Sequence, residues 1–136
     1  MAYTVQLLNL KCLEAQENDG DEMIVKFNGA KVWSSGRFKM HHRLQKENQV
    51  SEFDFAGGRR LGPEGWQMLM PYNPKDFEFA GQLGESYLEL WEEDFFRDDF
   101  LGRSPITAAD AERGHITIAF VRDGANYLLT YRVTAD

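Results

Sequence analysis

The sequence predicts an all-β fold of the sandwich or barrel type, and three observations support this prediction. Strand-like segments recur roughly every ten to fifteen residues and are separated by Gly, Asn, Asp and Pro. Two dipeptides between such segments, Asn28-Gly29 and Asp123-Gly124, are strong hairpin-turn signals because these residues tolerate positive φ. A helix is expected only near 107–113, where one or two turns can form.

The first half of the chain supplies five predicted strands. Residues 3–10 alternate between two faces, and residues 23–27 form an apolar run that ends at the first hairpin turn. Residues 30–33 begin the return strand. Residues 36–44 alternate strictly between two faces, and in residues 50–55 the two Phe residues are in step.

The second half begins with a long connection and then supplies three more strands. Residues 57–75 are interrupted by Gly and Pro, with a short strand expected around Trp66 to Met70. Residues 87–91 are the clearest late strand. Residues 115–121 and 126–133 are joined by the second hairpin turn, which brings the total to about eight strands.

Size and composition predict one ordinary globular domain, residues 1–136. Apolar residues make up 43% of the chain and charged residues 27%, which argues against long disorder. No apolar run is long enough to span a membrane, and the N-terminal residues lack the pattern of a secretory signal, so we expect a cytoplasmic protein. Cys12 is the single cysteine, which excludes an internal disulfide and a multi-cysteine zinc site.

The negative charge is concentrated in two short segments. The net charge is −7, which argues against nucleic acid as a partner. Residues 14–22 hold five acidic and no basic side chains, and residues 92–99 hold five acidic side chains and one Arg. Without these segments, the remaining 12 acidic and 14 basic side chains give a net charge of +2. We refer to 14–22 and 92–99 as the first and second acidic segments.

Both acidic segments are predicted to be loops at strand ends. Alternate loops of an antiparallel sandwich lie at the same end, so the two segments can face each other across one rim. Ten carboxylates so close together repel one another unless a counter-charge is present. Ca²⁺ suits this arrangement because it accepts six to eight oxygen ligands in flexible geometry. The alternative is that the acidic loops are simply solvated and keep the protein soluble.

The second acidic segment lies within a stretch that resembles a known family. LWEEDFFRDDFLG (90–102) is similar to the third calcium-binding loop of C2 domains, where a strand ending in an aromatic residue runs into an acid-x-Asp pair and then Asp before Phe-Ile/Leu-Gly. DGDEMIVKF (19–27) is similar to their first loop and second strand. The matches occur in family order. The resemblance implies a C2-like antiparallel Greek-key β-sandwich of eight strands that binds Ca²⁺ between loops at one end.

The resemblance also implies metal ligands at particular positions. Asp21, Glu92, Asp94 and Asp99 match ligand positions, and Asp98 is an alternative to Asp99. The upstream aspartate of the first loop is missing, so Glu14 or Glu17 would replace it, and Asp19 is a further candidate from the same segment. Glu92 occupies a position that is usually aspartate. The implied cofactor is therefore Ca²⁺.

The expected function is calcium-dependent docking to an anionic phospholipid membrane or to a protein partner. Phe95 and Phe96 lie at the expected tip of the second acidic segment, where they can enter lipid or a partner pocket. Arg37, Lys39 and Arg43 are expected on one strand face and resemble the basic face that some C2 domains turn toward anionic lipid. The protein is then expected at the membrane periphery.

Two other classes of function compete with this interpretation. One is an ion-independent structural or protein-interaction module with the same fold. The other is an enzyme that uses Glu92 and Asp94 as an acid–base pair. The sequence has no marked nucleophile, phosphate-cradling Gly loop or cofactor motif, so we do not expect an enzyme.

Overall fold

The computed structural model is a β-protein of two sheets. It describes residues 2–36, 38–46, 48–56, 58–61, 65–68, 77–81, 84–94 and 98–135. The strands of these residues are β1 (Tyr3–Glu14), β2 (Glu22–Phe27), β3 (Ala30–Ser34), β4 (Lys39–Met40), β5 (Gln49–Asp54), β6 (Gly58–Leu61), β7 (Gly65–Met68), β8 (Glu78–Gly81), β9 (Ser86–Glu93), β10 (Asp99–Ile106), β11 (His115–Arg122) and β12 (Ala125–Ala135). A 3₁₀ helix, Ala108–Arg113, precedes β11.

The eight longest of these strands divide equally between the two sheets. One sheet contains the order β11-β12-β1-β5, continued by β6 and β7, and the other has the order β10-β9-β2-β3. Neighbours in these orders pair antiparallel, while the short β4 pairs parallel with β5. The predicted all-β antiparallel sandwich is confirmed. The first and last strands lie side by side and pair along nearly their whole length.

The core lies between the sheets and is built from the inward rows of the strands. On β12 this row is Ala125, Tyr127, Leu129, Tyr131 and Val133, all of them buried. The alternation follows from the period of two along a strand. A hydrogen bond also crosses between the sheets, because the buried Tyr3 hydroxyl of β1 donates to Ser86 Oγ of β9 at 2.7 Å.

Both predicted hairpin turns are present. Asn28 and Asp123 each have φ of 51°, and each is followed by a glycine at positive φ. The turns join β2 to β3 and β11 to β12 with antiparallel register. The helix expected near 107–113 is the 3₁₀ helix.

One predicted strand is wrong in its extent, and three strands were not predicted, namely β6, which lies in the connection predicted over 57–75, β8 and β10. The strand predicted over 36–44 is reduced to β4, because the chain bends after Met40 and buries both Met40 and His41. The β10 strand was not predicted, because its Gly102 and Pro105 disfavour a strand. Both are tolerated there, since β10 lies at the end of its sheet order and shifts register between Phe100 and Gly102.

The strands also extend further into the acidic segments than predicted. In the first segment, Glu14 belongs to β1 and Glu22 to β2. In the second, Glu92 and Glu93 belong to β9 and Asp99 to β10. Part of the negative charge is therefore held on paired backbone. Among the described residues, no helix has the length and apolar character needed to cross a lipid bilayer.

Replacing Gly81 should test how tightly β8 packs on β1. A Cβ at Gly81 would overlap the ring of Tyr3, which is fully buried and tied to Ser86. We expect Gly81→Ala to lower the free energy of unfolding by about 2 kcal/mol or more, measured by urea denaturation. Ala80→Ser, at an exposed position of the same strand, should change it by less than about 0.5 kcal/mol. Equal changes in the free energy of unfolding for the two substitutions would contradict the close packing of β8 on β1.

Candidate metal centre

The two acidic segments meet at one end of the sandwich. Carboxylate oxygens of Glu17, Asp21 and Glu92 lie within 4.8 Å of one another, and so do those of Glu92, Asp94 and Asp99. Glu92 belongs to both groups. The two groups therefore form one continuous acidic centre, with Glu92 between the first segment and the second.

Glu92 is buried because it continues a core-facing row. Leu88 and Leu90 are fully buried on β9, and Glu92, two residues further on, is 1% exposed. Its neighbours across the sheet are Met23 of β2 and Asp99 of β10. The sheet thus places a carboxyl group at the end of an apolar row, with a second carboxylate directly opposite.

The surroundings of Glu92 disfavour its charged form. Burial, and after it the nearby carboxylates of Glu17, Asp21, Asp99 and Asp94, together raise the pKa of Glu92 to about 8. Among the residues that the structure describes, Glu92 Oε2 has no hydrogen-bond partner. A buried, charged atom without a partner is costly; a proton removes the charge, and a bound cation also supplies a partner.

Asp21 is buried as well, but its oxygens have partners. Oδ2 accepts hydrogen bonds from the backbone N–H of Gln16 at 2.8 Å and from the Tyr127 hydroxyl at 2.6 Å. Oδ1 accepts one from the backbone N–H of Glu17 at 3.0 Å. An ionised carboxylate accepts about four hydrogen bonds, so Asp21 has little capacity left for a metal ion. Its main role in the described contacts is to close the first acidic loop.

A polar cleft opens over this centre. It has a volume of about 450 Å³ and is lined by Glu17, Glu22, Lys39, Glu92, Glu93 and Asp94. Burial raises the pKa of Glu17, and the charges of Asp21 and Asp94 raise it further, while Lys39 opposes them. The cleft therefore holds mutually repelling carboxylates together with one ammonium group among its described lining residues.

The remaining predicted ligands belong to neither group. Asp19 is exposed and accepts a hydrogen bond from Lys46 Nζ at 2.6 Å, which lowers the pKa of Asp19. Glu14 is exposed at the end of β1, and Asp98 is exposed just before β10. None of the three belongs to a three-carboxylate group among the described residues.

The residues predicted to contact a membrane or a partner are only partly covered by the structure. Arg37, Phe95 and Phe96 lie outside the described residues. Arg43 is exposed, whereas Lys39 faces the acidic cleft. The prediction that Lys39 and Arg43 share one strand face requires a strand from 39 to 43. In the structure, however, β4 ends at Met40.

Sequence reasoning also missed Tyr127, whose hydroxyl orients Asp21. Its place in the alternating row of β12 indicates that it is buried, but nothing in its own segment indicates the partner 106 residues away. Cys12, its cross-strand neighbour, is buried too, and burial raises the pKa of its thiol to about 12. Cys12 is therefore neutral at physiological pH.

The donor set of the two groups fits a hard cation. Each member offers a carboxylate oxygen, and Ca²⁺ and Mg²⁺ prefer oxygen ligands. Two oxygens bound to one Ca²⁺ lie at most about 5 Å apart, so the observed separations are compatible with shared coordination.

Solved structures with a similar fold were found by comparison. A solved structure titled "Structure of a C2 domain" is similar over 99% of this chain and 99% of that chain, with 16% sequence identity and a TM-score of 0.45. No family model matches the sequence, and no curated protein matches it.

Glu92 should make stability depend on pH. Its pKa is about 8 in the folded protein against 4.5 ordinarily, so the folded state binds more protons between these values. In the presence of chelator, the free energy of unfolding should fall as pH rises through this window, by at most about 1.4 kcal/mol per pH unit. Urea denaturation from pH 5 to 9 measures this slope. Glu92→Gln should flatten it, and identical slopes for the two proteins would contradict the assignment.

Proposed function

We propose that the protein is a calcium-binding β-sandwich module that holds Ca²⁺ at the acidic rim. The observation that carries the proposal is the position of Glu92, which is 1% exposed, has an unpartnered Oε2 among the described residues and belongs to both carboxylate groups. A soluble acidic surface has no need of a buried acid at its centre. A bound cation supplies the missing partner and offsets the repulsion.

Ca²⁺ fits this centre better than Mg²⁺. Mg²⁺ demands near-ideal octahedral geometry and gives up its water reluctantly, whereas Ca²⁺ accepts irregular oxygen sets. Glu92 and Asp99 are fixed on strands, while Glu17 and Asp94 lie beyond strand ends and can adjust. Water and loop carbonyls would complete the coordination. Because Glu92 must lose its proton to bind, calcium affinity should weaken as pH falls.

The proposed output is docking to an anionic phospholipid membrane, with a protein partner as the alternative target. The acidic segments carry −9 formally and the rest of the chain +2, so the empty rim is repelled by a negative surface. Bound Ca²⁺ would cancel part of this charge and offer open positions to lipid phosphates. In this proposal the protein acts in the cytoplasm and at the membrane periphery, without nucleic acid and without a catalytic role.

A competing function is an ion-independent structural or protein-interaction module. The hydrogen bonds of Asp21 favour it, since they close the first acidic loop without any ion. The ion pair of Asp19 with Lys46, at 2.6 Å, does the same at the edge of that loop. Calcium binding distinguishes the two functions.

Calcium should raise the melting temperature of chelator-stripped protein by several degrees at a hundredfold excess over Kd, and Mg²⁺ should do so less. A ligand of the native state contributes about 2.7 kcal/mol at that excess. Asp94→Asn should reduce the calcium effect, because Asp94 belongs to a carboxylate group. Scanning calorimetry with and without Ca²⁺ measures both effects.

Asp98→Asn is the matched control, since Asp98 is an exposed neighbour outside both groups. It should leave most of the calcium effect intact. In chelator, Asp94→Asn should be as stable as the parent protein or slightly more so, because it relieves repulsion. If millimolar Ca²⁺ does not change the melting temperature of the parent protein, the ion-independent module is favoured.

Calcium should also switch on binding to phosphatidylserine vesicles, measured by co-sedimentation with Ca²⁺ or chelator. Phe95→Ala with Phe96→Ala should reduce binding at all salt concentrations, because insertion of apolar groups is not screened. Arg37→Glu with Arg43→Glu should matter mainly at low salt. A protein that binds Ca²⁺ yet stays in the supernatant would contradict the membrane output and favour a protein partner.

A further inference from the structure

Lys39 lies among the carboxylates of the acidic cleft. Its Nζ is 3.7 Å from Asp19 Oδ2 and 3.8 Å from Glu22 Oε1, and the side chain is 28% exposed. It lines the cleft together with Glu17, Glu92 and other acidic residues, and its charge opposes the raised pKa of Glu17. A unit positive charge is therefore present beside the carboxylates that would attract a metal ion.

The backbone holds Lys39 in this position. The neighbouring Met40 and Asp21 exchange two backbone hydrogen bonds, at 2.9 and 2.7 Å, and Lys39 N donates to Asn48 O at 2.9 Å. Gly20, at φ +108°, packs so closely that a Cβ there would lie 2.8 Å from Lys39 Cβ. The backbone and Cβ of Lys39 are thus fixed beside the first acidic loop, within reach of its carboxylates.

We propose that Lys39 is a tethered counter-cation of the acidic centre, which stabilises the metal-free state and lowers the affinity for Ca²⁺. This inference rests on the proposed calcium-binding function. In the metal-free protein, the ammonium group reduces the repulsion among the carboxylates around it. When Ca²⁺ enters, the same charge repels it and competes for carboxylates such as Glu22.

The ammonium group and the metal ion have different positions in this proposal. The ion pairs of Lys39 are with Asp19 and Glu22, on the side of the first acidic segment. The buried Oε2 of Glu92 has no hydrogen-bond partner among the described residues, so it remains available to an ion. Lys39 therefore adjusts the affinity of the centre rather than replacing its ligands.

Lys46 provides a matched control. Its Nζ is 2.6 Å from Asp19 Oδ1, so its removal takes the same unit charge from the same neighbourhood. It does not line the cleft. Lys39→Met keeps the Cβ and much of the stem of Lys39 while removing the charge, and Lys46→Met does the same for Lys46.

The experiment is a calorimetric titration of Ca²⁺ into the chelator-stripped full chain and its variants. Lys39→Met should bind Ca²⁺ about five- to tenfold more tightly than the parent protein, the size expected when a unit charge is removed near a divalent ion. Lys46→Met should stay within about twofold. In chelator, Lys39→Met should melt at a lower temperature than the parent, and in Ca²⁺ the difference should shrink or reverse.

The outcomes separate the two proposals. If the parent binds Ca²⁺ and Lys39→Met binds no more tightly, or no differently from Lys46→Met, the role of Lys39 is wrong and calcium binding stands. If only Lys39→Met binds, Lys39 occupies the centre and the proposed function of the parent is wrong. If neither protein binds, both proposals are wrong. Lys39→Gln gives the same comparison should Lys39→Met lose its fold by circular dichroism.

Discussion

The arrangement of the acidic rim depends on one carboxyl group at the end of an apolar row. The period of two along β9 buries Leu88 and Leu90, and the same period buries Glu92. Burial favours the neutral form of Glu92, and every carboxylate brought near it adds to that preference. The rim is therefore electrostatically unsatisfied at its centre, where a proton or a cation lowers the free energy most.

The surrounding groups divide into a fixed part and an adjustable part. Asp21 is held by two backbone N–H groups and by the Tyr127 hydroxyl, so it shapes the first acidic loop more than it offers free oxygen. Asp99 is fixed opposite Glu92 by strand register. Glu17 and Asp94 lie beyond strand ends and Lys39 reaches in from β4. Fixed carboxylates with adjustable carboxylates around them are compatible with the irregular oxygen coordination of the proposed Ca²⁺.

Local signals explain which elements the sequence predicted. The hairpin turns were correct because Asn and Gly, or Asp and Gly, adopt positive φ whatever surrounds them. The prediction over 36–44 was wrong because an alternating pattern shows only that two faces are possible. There the chain bends and buries Met40 and His41 together. The β10 strand was missed because Gly102 and Pro105 lower strand propensity, which pairing with β9 overrides.

The sequence by itself determined the all-β class, the hairpin positions and the concentration of negative charge in two segments, since these depend on residue type and local alternation. It also contained the signal for the burial of Glu92, because that residue continues the row of Leu88 and Leu90. Only the tertiary structure decided that Tyr127 orients Asp21 and that Lys39 enters the acidic cleft. These contacts join segments that are distant in the sequence. Which side chains meet is determined by the order and register of the strands, and no local pattern encodes these.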